Sequence, residues 1–283
     1  MTEATETPSD GIYYDVDYDI YDKWQAINNS ALKWGSISTA HMLAYICGRI
    51  SKHSDVLNLG RLVHVAVLEP HLIDQFHVWE KRRAGTEWES FNADYGVDNI
   101  VKPEDMIVAL SVKKSIEQHR EAARIICECK KEVSIIWTDK MYGRGKARID
   151  LLQQNGCEFG DLKTTSRVDP HKFRRQFFSH DLSYYMQFGW IWEGLDHLLK
   201  PTTTTAYVVS AETKPIYDVA VYEVSDDALH IGRKHAVKIA RQYHIAKQTD
   251  SFNGVSGGEV LMMDAPQWMK DKEAAESLIW GQE

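Results

Sequence analysis

The chain has 283 residues, 43% of them hydrophobic and 26% charged, which excludes a disordered or collagen-like protein and leaves enough length to bury a core without disulfides. Its formal charge of −8, from 33 Lys and Arg against 41 Asp and Glu, argues against a protein that coats nucleic acid non-specifically, so any nucleic-acid site must be a local basic patch. The four cysteines form no C-x-x-C pair, and Cys127 and Cys129 stand too close for a zinc finger, which points to reduced thiols and a cytoplasmic setting. The opening MTEATETPSD has neither the basic nor the apolar part of a secretory leader, and no apolar run approaches the roughly 20 residues of a membrane helix.

Residues 1–27, with the Tyr- and Asp-rich run YYDVDYDIYD, read as a flexible N-terminal arm or an edge segment. From Asn28 the spacing predicts a helix with Asn29 or Ser30 as N-cap, then a second through LNLGRLVHVAVLEP until Pro70 interrupts it. Residues 80–103 are polar and glycine-containing and read as a loop or cover; a long helix is expected from Pro103 to Cys129. The period then shortens. VSIIW, RGKARIDLL and EFGDLKTT, separated by DKMYG and by Asn155-Gly156, predict three antiparallel strands. Asp169-Pro170 opens a helix, Asp181 caps another through YYMQFGWIWEGLDHLL, TTAYVVSAE and PIYDVAVYEV form two more strands, and Ser225 caps a final helix to about Lys247. This order implies an α/β fold with a central mixed sheet flanked by helices.

The chemistry concentrates in the meander. A two-residue type I′ turn at Asn155-Gly156, which needs positive φ at both positions, sets Asp150 directly opposite Asp161, with Cβ atoms about 5 Å apart. Two carboxylates so placed repel unless a divalent cation compensates them, and oxygen ligands suit magnesium, or manganese in its place. The pleat puts Arg144, Lys146, Arg148 and Asp150 on one face with Asp161 and Lys163, and Ala147, Ile149, Leu151 and Leu162 on the other, which packs on the core. Lysine beside two metal-binding carboxylates is what phosphodiester hydrolysis needs, whereas a solvated strand of alternating charge is the plainer reading.

Asp150, eleven residues, then Asp161-Leu162-Lys163 resembles the PD-(D/E)xK nuclease motif, with Ile149 where that family usually has proline. GRLVHVAVLEP with His64, KRRAGTEWESF, KKEVSIIW with Glu132, GDLKTT and YYMQ follow in the order of RecE-type exonuclease VIII, a lambda-exonuclease-like branch; the resemblance spans about residues 28–268 and leaves 269–283 as a C-terminal tail. It implies a restriction-endonuclease-like core in which Asp150, Asp161, the Leu162 carbonyl and His64 hold magnesium. Lys163 would orient or deprotonate the attacking water, Glu132 contact the metal region or a second ion, and Tyr184 and Gln187 position the scissile phosphate or the lysine. Relatives often carry a tyrosine four residues after the glutamine, where this chain has Ile191 between Trp190 and Trp192.

Read without the resemblance, His64 is a core histidine, Glu132 a solvated helix end and Arg82-Arg83 a solvated loop. With it, Arg82, Arg83, Arg144, Lys146, Arg148, Arg174 and Arg175 become a phosphate-binding track, with Trp88 placed to stack on a DNA end. The function implied is a magnesium-dependent exodeoxyribonuclease that resects linear double-stranded DNA, 5′ to 3′ by resemblance, for a single-strand annealing recombinase. A homo-oligomeric ring around DNA is also implied. Two alternatives stay open: a catalytically inactive or partner-dependent DNA-binding protein on this fold, and an iron–sulfur nuclease of the Cas4 or AddB kind. The cysteines argue against the second, since no cysteine follows Cys157 and such clusters need three late ones.

Overall fold

The structure, a computed structural model, describes residues 6–50 and 55–280. The chain begins with strand β1 (Gly11–Tyr13) and helices α1 (Tyr18–Lys23), α2 (Asn29–Gly35), α3 (Thr39–Ile46) and α4 (Asp55–Leu68). A small lobe follows, made of strand β2 (His77–Val78), helix α5 (Thr86–Tyr95) and strand β3 (Ile100–Val101). Helices α6 (Pro103–Gln118) and α7 (Arg120–Glu128) lead into strands β4 (Lys130–Asp139), β5 (Gly143–Leu152) and β6 (Glu158–Thr165). After helices α8 (Pro170–Phe177) and α9 (Tyr184–Leu198) come strands β7 (Thr205–Glu212) and β8 (Val219–Val224), then helices α10 (Asp226–Thr249) and α11 (Gln267–Trp280).

Six strands form one mixed sheet in the order β1-β4-β5-β6-β7-β8, antiparallel throughout except between β6 and β7. That parallel step requires a crossover, which α8 and α9 provide. The architecture is the expected α/β plan of a central mixed sheet flanked by helices.

Side-chain caps decide where several helices break. The helix expected from Asn28 is two, because Asn28 Oδ1 accepts from Ala31 N at 2.8 Å and Ser38 Oγ accepts from His41 N at 3.2 Å to start a new one. The helix expected over 103–129 is likewise interrupted at His119, whose Nδ1 accepts from Ala122 N at 3.2 Å. Asp169 and Ser225 cap α8 and α10 as their sequence positions imply. Asp181 does not cap α9; that position falls to Ser183. The segment read as a polar cover contains α5 and β3, which pairs in parallel with β2 just before it, and the helix read as final is followed by α11.

Leu151 pairs with Gly160 and Leu152 with Phe159, the register expected for the hairpin. Its turn is wider than two residues. Gln153 N donates to Glu158 O at 2.9 Å and Gly156 N to Gln153 O at 2.8 Å, with only Gly156 at positive φ (73°). Asn155 instead spends its side chain on Cys157 N, 2.9 Å away, so the connection is a local Asx-type turn closed by a left-handed glycine.

Both faces of the sheet are covered. Helices α2, α9 and α10 pack over Trp137, Ala147 and Ile149, while α4, α6 and α7 pack over Leu151, Leu162 and Val209. The expectation that Ala147, Ile149, Leu151 and Leu162 share one core face is therefore corrected: the first two enter one core and the last two the other. The helical layer over the first core is drawn tight by two glycines. A Cβ on Gly189 would lie 1.9 Å from Arg233 N and one on Gly232 would lie 1.9 Å from Tyr185 O, so α9 and α10 touch backbone to backbone.

From residue 6 onwards the N-terminal segment is folded as an edge segment of the sheet, one of the two expectations, and not as a flexible arm. β1 pairs with the edge of β4 through Gly11–Ile136, Tyr21 and Trp24 are buried, and the segment lies over the polar face of β5. Lys146, 2% exposed, donates to the carbonyls of Tyr21, Asp22 and Trp24 at 2.9, 2.8 and 3.0 Å. The Arg144 guanidinium bonds the Pro8 carbonyl, and Arg148 donates to Val16 O at 2.6 Å. These cations bring donors to main-chain carbonyls of the segment, of which Tyr21 O and Trp24 O also accept from Trp24 N at 3.1 Å and Ala26 N at 3.0 Å. Lys146→Met keeps the volume but takes a buried donor from all three carbonyls and leaves Asp22 O without its ammonium partner; it is expected to lower unfolding stability by about 1–3 kcal/mol in urea titration, against less than about 0.5 kcal/mol for Arg174→Ala.

Candidate active site

The ladder between β5 and β6 stops after Leu151 and Gly160. Beyond it the Leu162 N–H donates to Asp150 Oδ2 at 2.8 Å, so a side-chain carboxylate occupies the position of a strand carbonyl and the two strands part. On the other side of Asp150, Glu132 has a left-handed backbone (φ 52°) and interrupts the β4–β5 pairing between Lys131–Leu151 and Val133–Ile149. A non-glycine residue in that region is strained, and strain of this kind collects at functional positions. Helix α4 delivers His64 to the opening, and α9 delivers Tyr184 and Gln187.

Two groups of contacts fill it. His64 Nδ1 lies 3.5 Å from Asp150 Oδ2, and one ligand atom each of His64, Glu132 and Asp150 fall within 4.8 Å of one another. Beside them Asp161, 1% exposed, accepts from Gln187 Nε2 at 2.6 Å and pairs with the Lys163 ammonium, which also donates to Gln187 Oε1 at 3.1 Å. This ring of three fixes the amide orientation of Gln187, since its oxygen must face the donor and its nitrogen the carboxylate. The Tyr184 ring covers the lysine, with Nζ 4.7 Å from its centroid. Gln187 and Tyr184 thus address the lysine.

Burial sets the electrostatics. It raises the Glu132 carboxyl to about 7, helped by the charge of Asp150 and opposed by Arg148. Burial, then the charge of Asp161, likewise raises Asp150. The same burial lowers His64, keeping its imidazole neutral and able to ligate. For Lys163 burial lowers the value, but Asp161 and Asp150 together outweigh it, so the ammonium is held charged.

The donor set fits a divalent cation. It offers one neutral imidazole and hard carboxylate oxygens, and Asp161 Oδ2 is buried, touching the lysine but accepting no well-aligned hydrogen bond. Glu132, Asp150 and His64 would hold the ion, with Asp161 and the Leu162 carbonyl on the adjoining strand. Among the described residues one other such group exists, Asp139, Glu193 and His197. There Glu193 already accepts from Tyr142 at 2.8 Å and is paired with Arg233, and His197 sits 3.2 Å from it, so the group ties β4 to α9 as an ion-pair network.

The basic residues separate. Arg148, expected on a phosphate track, instead donates to Glu132 Oε2 at 2.5 Å, lies 3.6 Å from Glu69 and holds Val16 O. With Lys146 buried and Arg144 bonded to Pro8, strand β5 presents no free row of cations, and that expectation is corrected. Arg83 donates to Ile100 O at 2.9 Å and stacks on Trp88, which packs against Trp79 inside the small lobe. Arg82, Arg174 and Arg175 are exposed. Sequence reading assigned no role to Glu69 or Val16, although Glu69 lies in the LEP segment; a main-chain carbonyl such as that of Val16 leaves no sequence signal.

No protein of curated function matches the sequence. A protein from Eubacterium rectale carried under the name putative exonuclease has a crystal structure that superposes with a TM-score of 0.60 at 13% identity, over 93% of this chain and 99% of its own. At that identity the likeness is one of fold. A second structure, SSO0001, is 16% identical over 63% of this chain and 85% of its own, with a TM-score of 0.28 that supports no comparison. The family described as PDDEXK-like domain of unknown function (DUF3799) matches residues 28–261, which include every residue of the opening between β5 and β6. The chain belongs to this PDDEXK-like family and has the PD-(D/E)xK nuclease fold.

Proposed function

We propose that the protein is a magnesium-dependent exodeoxyribonuclease that degrades linear double-stranded DNA, leaving single strands for a recombinase that anneals them. The observation that carries this reading is the junction of two groups at one break in the sheet: a His64, Glu132 and Asp150 cluster beside an Asp161, Gln187 and Lys163 ring. The resemblance of GRLVHVAVLEP and KRRAGTEWESF to RecE-type enzymes supports action from an end and 5′ to 3′ polarity.

A bound divalent cation supplies an acidified water and charge compensation for the phosphate. The chain's own residues do the rest. Asp161 and Gln187 fix Lys163 Nζ from two sides, so the ammonium meets a phosphate oxygen or a water without searching for it. Once the carboxylates are compensated, burial dominates the lysine, which then releases its proton more readily and can take one from water. His64 contributes as a neutral donor from a helix on the other side of the sheet. Arg148 acts on the site through Glu132, which it binds, and through its charge on Asp150.

Asp161→Ala and Lys163→Ala are each expected to lower degradation of linear duplex at least about a thousandfold, a scale set by losing a positioned proton-transfer or charge-stabilising group. Closed circular DNA should survive, and a 5′ end label should be released early. Cleavage by Asp161→Ala at the wild-type rate would remove the site assignment, and equal attack on circular DNA would remove end dependence.

The raised carboxyls also fix a pH dependence. Because the folded-state value of Glu132 lies above that of a free carboxyl, its contribution to metal-free stability is present below about pH 4.5 and lost as pH rises through about 7. Bound cation offsets that loss. Magnesium or manganese is therefore expected to raise the melting temperature more at pH 8 than at pH 6 in scanning calorimetry, and the difference should shrink in Glu132→Gln, the remainder coming from Asp150. An equal shift at both pH values would show that the cation binds elsewhere.

A further inference from the structure

Glu69 belongs to the LEP segment that follows the last turn of α4, and no step of the proposed reaction uses it. Its backbone is fixed. Glu69 N donates to Val65 O at 3.1 Å, which continues the last helical turn, and Pro70 then leads the chain into the short 3₁₀ segment Pro70–Gln75. The helix that delivers His64 to the opening therefore also carries a carboxylate up to Arg148.

Arg148 uses its three acceptors unequally. Nε donates to Glu132 Oε2 at 2.5 Å and Nη1 to Val16 O at 2.6 Å, whereas Nη2 lies 3.6 Å from Glu69 Oε1, close enough for an ion pair but too long for a hydrogen bond. Only 12% of the arginine side chain and 25% of the Glu69 side chain reach solvent. Among the described residues no other ion pair engages Glu69, so an unspent carboxylate stands beside a guanidinium already spent on a site carboxylate. Glu132 is asked to hold both that guanidinium and, in the proposed site, a divalent cation. A buried guanidinium stripped of its partner is strongly unfavourable, so it needs a second carboxylate within reach. The Val16 carbonyl gives the fork a main-chain point about which to turn, and the Tyr18 ring, 6.0 Å from Arg148 Cζ, lies over it. A shift of about 1 Å brings Nη2 within hydrogen-bond range of Glu69.

We propose that Glu69 is a positioning residue for the metal site: it receives the Arg148 guanidinium when Glu132 turns its carboxylate to the cation, so the arginine keeps a counter-charge in both states. This rests on His64, Glu132 and Asp150 being the cation-binding group. Without Glu69 the arginine stays on Glu132, and its unneutralised charge opposes the incoming ion. Both effects weaken binding.

The experiment is titration of the full chain with manganese chloride, the free ion being counted by electron paramagnetic resonance. Glu69→Gln is expected to bind manganese about tenfold more weakly than wild type, the scale on which groups that orient metal ligands act. In an Arg148→Met background the same change is expected to leave the affinity within about twofold, because no guanidinium is left to receive. A carboxylate that acted by its own charge, or by holding α4 in place, would weaken binding in both backgrounds. If Arg148→Met melts early by circular dichroism, Arg148→Gln replaces it, keeping a donor without the charge. Equal affinity of Glu69→Gln and wild type, or an undiminished loss in the background without Arg148, would overturn the proposal. Asp150→Asn separates this from the site assignment. If that variant binds manganese as wild type does, the cation sits elsewhere and both readings fall; if it loses binding while Glu69→Gln keeps it unchanged, the role of Glu69 alone is removed.

Discussion

Everything at the candidate site follows from one hydrogen bond, that between the Leu162 N–H and the Asp150 carboxylate. It replaces a strand carbonyl with a side chain, so the β5–β6 ladder cannot continue past Leu151 and Gly160. The parted strands leave an opening that side chains from both helical layers can enter: His64 from α4 on one side, Tyr184 and Gln187 from α9 on the other. It also marks where β5 changes the core it feeds, with Ile149 packed among one set of helices and Leu151 among the other. Glu132, opposite, takes the left-handed backbone that turns its carboxylate toward the same opening.

Holding three carboxylates together in a buried place needs counter-charge, and the protein supplies it from two directions. Lys163 sits against Asp161 and Gln187 from within the site. Arg148 approaches from behind, binding Glu132 while its other nitrogens reach Glu69 and Val16 O. The N-terminal segment thereby becomes part of the site's support: Val16 helps to set Arg148, which sets Glu132. The same segment supplies acceptors to Arg144 and Lys146, so one strand face is covered along its length by a stretch of chain more than a hundred residues away in sequence.

That distance explains what could and could not be read in the sequence. The hairpin register was legible because Asn155-Gly156 and the alternation of RGKARIDLL act within twenty residues, and even a misjudged turn type left Leu151 opposite Gly160. Asp161 and Lys163 fell on one face by strand parity, and they touch. His64, Tyr184 and Gln187 are different: nothing local says that an apolar helix histidine or a helix glutamine faces a strand, and only the ordered set of motifs brought them in. The reading of Arg144, Lys146 and Arg148 as a working surface failed for the converse reason. Pleat geometry says which residues share a face, but whether that face meets solvent or another segment is decided by tertiary structure, here by the carbonyls of residues 8–24.

Removing those three cations from the surface changes how an acidic protein can meet a phosphodiester. The chain carries a net −8, and of the arginines expected on a phosphate track Arg82, Arg174 and Arg175 remain exposed, in the small lobe and on α8. At the opening itself a phosphate meets the carboxyls of Glu132, Asp150 and Asp161, with Lys163 set against Asp161. Repulsion on that scale opposes substrate binding as much as chemistry, because charges within a few ångströms in a partly dry site interact far more strongly than in bulk water. On the proposed reading, compensation of the carboxylates therefore has to come before the substrate strand can be seated, and it is the same compensation that frees Lys163 to exchange a proton. Binding and catalysis are then coupled through one set of buried charges, which accounts for a strained glutamate, a lowered histidine and a lysine pinned by two partners all occurring within one break in a sheet.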